Sequence, residues 1–165
     1  MWRLLVIRPL QQGNEREHVI EEVCRLGTLL FLSPFWRMLG FGPVWTAAIS
    51  RNLLLLLMKH MIEWKELKPL LVWVLYFAAI ETNDLAERSQ LVFMLAVVTG
   101  GMQLDDWDDI MHVVKSVLWV ERVFAGTDDL IRDEVMAIVI QNAMRPVLVE
   151  TPPVFLEDFP IDVED

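Results

Sequence analysis

Three histidines, a single cysteine and a run of aspartates are the residues of this chain whose types could do chemistry. His18, His60 and His112 fall on three different expected helices, and none belongs to an HxxxH or HExxH pair that would set two metal ligands on one helical face. His112 lies four residues after Asp108, so the two share a face. An oriented general base is built that way, but so is a surface pair. With no nucleophile or second carboxylate supplied nearby, the surface pair is the reading adopted. Cys24 stands beside Arg25, a neighbour able to depress a thiol pKa. It also sits among apolar residues at helical spacing, where a free cysteine behaves as a small hydrophobe. One cysteine rules out an internal disulfide and a cysteine-rich zinc site. The cluster DDWDD (105–109) lacks the glycine and the terminal glutamate of a calcium loop and reads as a helix start. Gly100-Gly101 follows a helix instead of preceding one, so it is no phosphate cradle. No catalytic residue, metal site or cofactor is expected, and the chain is read as a non-enzyme.

The elements that carry these residues are helices, and strand alternation of any length is missing. A first helix is expected from Asn14, which caps it, to just before Ser33-Pro34, with the stripe Val19, Ile20, Val23, Leu26, Leu30 and Phe31. Cys24 and Gly27 lie near that stripe and would admit a close neighbour. Residues 35–43 read as a connector. A second helix runs from Val44 to Ile62 or Trp64, and its five consecutive leucines should be buried on more than one side. A third, 69–81, opens on Pro69 in its first turn and is apolar all round, the expected centre of the bundle. A fourth is capped at Thr82 or Asn83, with Glu87 completing a capping box from Asp84, and ends on a left-handed residue supplied by Gly100-Gly101. A fifth starts at Asp105 or Asp106 and carries Trp107, Ile110, Met111 and Val114 as far as Trp119. The last runs from Asp129 to about Met144. The expected fold is all-α, an irregular bundle of about six helices over residues 14–145. An extension, 1–13, precedes it, and a disordered acidic tail, 146–165, follows.

Composition narrows the function further. The chain has 165 residues, enough for one domain, and is 55% hydrophobic, with a mean hydropathy of +0.40. Its net charge of −10 is uneven: residues 1–80 hold 9 basic against 6 acidic side chains, and residues 81–165 hold 5 against 18. Nucleic-acid affinity comes mainly from lysines and arginines releasing counterions, so direct DNA binding is not expected. Residues 26–49 contain Arg37 as their only charge, but Pro34, Gly40, Gly42 and Pro43 cut them into pieces too short for one membrane span. In the tail, Phe155, Leu156, Phe159 and Ile161 alternate with Glu157, Asp158, Asp162, Glu164 and Asp165. That is the composition of disordered activation segments, which offer apolar anchors to a partner's groove, and also of a plain solvated tail.

Three segments carry a family likeness: EEVCRLGTLLFL (21–32), KPLLVWVLYFAAIET (68–82) and LWVERV (118–123). In order and spacing they resemble the fungal-specific transcription factor domain, the regulatory region that follows a zinc-cluster DNA-binding module. Cys24 and Arg25, then Pro69 and Trp73, then Trp119 stand at its motif positions. The resemblance implies an all-helical nuclear domain that regulates transcription through protein partners or an inducer. The six-cysteine module and the dimerisation segment of such regulators are not in this sequence, which looks like their C-terminal portion: a fragment, a truncated chain or a stand-alone domain. The alternative class is a small membrane-associated helical protein, prompted by the high hydropathy.

Overall fold

Every residue from 71 to 79 is buried, and the helix that contains them is the axis around which the others pack. The computed structural model describes residues 15–40, 46–127 and 129–144. Among these the fold is an all-α bundle without strands. Its elements are α1 (Glu15–Met38), α2 (Thr46–His60) with a 3-10 turn (Met61–Trp64), α3 (Lys68–Glu81), α4 (Leu85–Gly100), α5 (Trp107–Val117), α6 (Glu121–Phe124) and α7 (Arg132–Met144). Helix α3 meets α1, α2, α4 and α5, while α7 packs on α4. A helix apolar on all sides needs neighbours on all sides, which is why the sequence KPLLVWVLYFAAIE can only sit in the middle.

The expected end of the first helix before Ser33-Pro34 is corrected by the structure: α1 continues through Pro34 to Met38. Proline removes the N–H that would bond four residues back, so the final turn must be held from outside. Phe35 packs on Phe31 and Phe124, with ring centroids 5.5 and 5.9 Å apart, and Arg37 is anchored on α3. The helix then closes at Gly40, whose φ of +73° suits glycine.

Four of the five leucines of α2 pack on the core, Leu56 only in part. Leu53, Leu54 and Leu57 are buried, whereas Leu55 and Met58 face outward. Asp84 is the N-cap of α4, accepting from the amides of Ala86 and Glu87. Thr82 instead donates back to the Ala78 carbonyl. Glu87 does not close a capping box but accepts from Arg51 at 2.6 Å. Neither Gly100 nor Gly101 supplies a left-handed residue; Gln103 does, at φ 60°. Of the two aspartates considered, Asp106 caps α5. The one-turn α6 is an addition to the expected set, and α7 begins at Arg132, three residues after Asp129.

The core is densely aromatic where α1, α3 and α6 meet. Phe31 and Phe77 cross edge to face with centroids 5.1 Å apart, and Phe77 meets Phe124 at 4.9 Å. Trp73 and Trp119 complete the cluster. Edge-to-face and tilted pairs of this kind contribute about 0.5–1.5 kcal/mol each beyond their buried area.

Candidate functional site

Two features stand apart from ordinary packing: a buried carboxylate and an open apolar groove. The carboxylate is Glu81, the last residue of α3, with only 5% of its side chain exposed. A negative charge at a helix C-terminus is unfavourable to the helix dipole. It is compensated by Arg37 of α1, whose guanidinium donates to both carboxylate oxygens at 2.7 and 2.6 Å, and by Ser33 Oγ at 2.8 Å. The hydrogen bonds to Glu81 push the Arg37 pKa above its ordinary value. Both oxygens of Glu81 are engaged in one bidentate fork. The arrangement fastens α1 to α3 and has the geometry of a clamp, not of a catalytic acid.

The groove lies between the C-terminal part of α2 and the outer face of α4. It measures about 430 Å³ and is lined by Met58, Met61, Ser89, Gln90, Phe93 and Met94. Met61 also borders a narrower continuation of about 150 Å³, where Trp64, Lys65, Lys68, Val97 and Gly101 form the walls. On α4 the lining residues recur from Ser89 to Gly101 along one face, and at 1.5 Å per residue they span roughly 18 Å. Met58 and Phe93 are 61% and 54% exposed, and nearby Ile62 is 78% exposed. Methionine's flexible, polarisable side chain suits it to such adaptable surfaces. The sequence reading missed the groove because Met58, Phe93 and Val97 look like further members of apolar runs; only the packing decides which of them faces out.

The residues singled out from the sequence are dispersed. Cys24 is half-buried in α1, and burial, with Glu21 adding to it, pushes its thiol pKa up. Arg25 does not activate it, since its guanidinium is bonded to Glu22. His60 pairs with Glu63 at 3.1 Å. His112 and Asp108 are both exposed, and no hydrogen bond or ion pair joins them. Among the described residues no group of three or more histidines, cysteines and carboxylates gathers to hold a metal. In the same set no helix is long and apolar enough to cross a membrane.

Pro69 opens α3. Trp73 donates its indole N–H to the Leu118 carbonyl at 2.8 Å. Trp119 donates to Glu121 and lies under the Lys115 ammonium, 5.1 Å from its ring centroid. The tail anchors Phe155, Leu156, Phe159 and Ile161 lie outside the described residues, as does the extension 1–13. Comparison of the chain with protein-family models, with curated proteins and with solved structures gave no match.

Proposed function

We propose that the chain is a regulatory interaction domain, of the kind that fungal zinc-cluster transcription factors carry beside their DNA-reading part. It works in the nucleus through protein contacts or an inducer and does not itself bind DNA. The observation that supports this reading is the meeting of the three resembling segments. Phe31 of the first, Trp73 and Phe77 of the second and Trp119 of the third share one aromatic cluster. Trp73 is further tied to Leu118 by a hydrogen bond spanning 45 residues.

The test fuses the full chain to a foreign DNA-binding domain and reads a reporter in a fungal host. A several-fold change in output relative to the DNA-binding domain alone is expected. The same change should be lost when the cluster is broken by Phe77→Asp. Unchanged output from a folded, expressed fusion refutes the proposal. In parallel, the chain alone should show negligible affinity for duplex DNA at moderate salt by fluorescence anisotropy, because its charge repels phosphate. Tight, salt-sensitive binding contradicts that part.

A further inference from the structure

From the groove between α2 and α4 we infer that it is the docking site of this chain's own C-terminal segment, 145–165, which covers it in the isolated protein. Three observations point to that occupant. The first is where the chain leads. Arg88 of α4 reaches Leu130 and Glu134 at the start of α7, while Ala96 and Gly100 border Val139 and Asn142 near its end. Helices α4 and α7 therefore run in the same direction, and α7 delivers the chain at the Gly101 end of the groove. Val97 lines both the α4–α7 cleft and the narrow part of the groove, so the two are neighbours. The ten residues from 145 to 154 reach up to roughly 35 Å. That exceeds the length of the groove and leaves Phe155, Leu156 and Phe159 able to arrive anywhere along it.

The second observation is chemical complementarity. The segment carries six carboxylates against one basic residue, Arg145. The narrow end of the groove is walled by Lys65 and Lys68; of the two acidic residues in the same stretch, Glu63 is paired with His60 and Glu66 opposes the lysines. Lys68 uses one N–H on the Gly101 carbonyl, and an ammonium has three. The third is an unmet donor at the same end. Trp64 is 1% exposed, yet its indole N–H has no acceptor among the described residues. A buried donor left unpaired is costly, and a small rotation of Trp64 toward the groove would let a carbonyl or carboxylate of the occupant satisfy it. The wide end offers Met58, Met61, Phe93 and Met94 to apolar anchors in the manner of a segment laid into a hydrophobic groove.

Docking hides in one contact the two features suited to a partner: the groove and the acidic–apolar anchors. A partner competing for either must displace the other. The docking stands on the groove and the segment's composition whether or not the domain regulates transcription.

The experiment uses the full chain labelled at its methionine methyl groups. It compares the unchanged protein with Phe155→Asp/Phe159→Asp, both positions lying outside the described residues. Methyl resonances are assigned by single Met→Leu substitutions, and their broadening by a soluble paramagnetic agent is measured. A tethered segment has an effective concentration of order 1 mM, so an intrinsic affinity of about 0.1 mM keeps the groove roughly nine-tenths covered. The double variant should therefore shift the Met58, Met61 and Met94 methyls and raise their broadening about tenfold. The buried Met111 methyl should stay unchanged. Superimposable spectra of the two proteins overturn the inference. It is equally overturned if the three methyls shift with protein concentration and the variant behaves as the unchanged chain, a result that gives the groove to a second copy.

Discussion

Substituting Gly27 by alanine sets two known effects against each other at the α1–α3 seam. In an isolated helix the change would stabilise by about 1 kcal/mol, because glycine loses more backbone freedom than alanine on folding. Here the added Cβ would lie 2.9 Å from Val74 Cγ2 and 3.2 Å from Cγ1. Val74 is fully buried in α3, and a β-branched residue in a helix has one strongly preferred rotamer, so neither methyl can swing aside. Overpacking of this kind costs about 1–3 kcal/mol. Gly27→Ala should therefore destabilise the domain by roughly 1 kcal/mol net. Truncating Val74 to alanine removes the obstructing methyls at a cost of about 2 kcal/mol. In that background Gly27→Ala should reverse sign and stabilise by about 1 kcal/mol, a coupling of roughly 2 kcal/mol. Urea unfolding followed by far-UV circular dichroism measures all four proteins, the midpoint moving while the slope stays constant. A stabilising Gly27→Ala in the unchanged background, or the same effect in both, would show that the seam is not closed by this contact.

Two further outcomes follow from the clamp and the thiol. Arg37→Met strands the buried Glu81 carboxylate with Ser33 as its remaining partner. The expected loss is about 2 kcal/mol, discounted because the Arg37 side chain is 55% exposed, and amide exchange should rise first in the last turn of α1. An Arg37→Met protein as stable as the parent would reduce the clamp to a surface pair. Cys24, its thiol pushed up by burial, should react with iodoacetamide well below the rate of a free thiol at neutral pH. Because its folded pKa exceeds the unfolded one, its contribution to stability is full below the unfolded value and fades as pH rises through the folded one. Fast labelling near neutrality, or stability rising with alkaline pH when compared with Cys24→Ser, contradicts this.

The helices were legible from the sequence wherever a local cause sufficed. Apolar spacing marked α1, α5 and α7, Pro69 marked the start of α3, and the charge-free run of α3 marked the centre. At two misjudged positions distant residues intervene. Pro34 is a local helix breaker, but Arg37 meeting Glu81 across 44 residues keeps the last turn of α1 intact. Glu87 suits a capping box, yet Arg51 of another helix takes its carboxylate. The turn after α4 offered two glycines for the left-handed position, and Gln103 fills it, bonding its amide to Gly100.

By itself the sequence determined the helical class, the buried identity of α3 and the uneven charge, because periodicity, proline and side-chain charge act locally or additively. Tertiary structure alone decided which apolar residues remain outside. Met58 and Leu57 are adjacent and both hydrophobic, but the rotation of α2 against α1, α3 and α4 buries Leu57 completely and leaves Met58 open. A helix with apolar groups on several faces carries no instruction about which face its neighbours will cover. The groove between α2 and α4 follows from that choice.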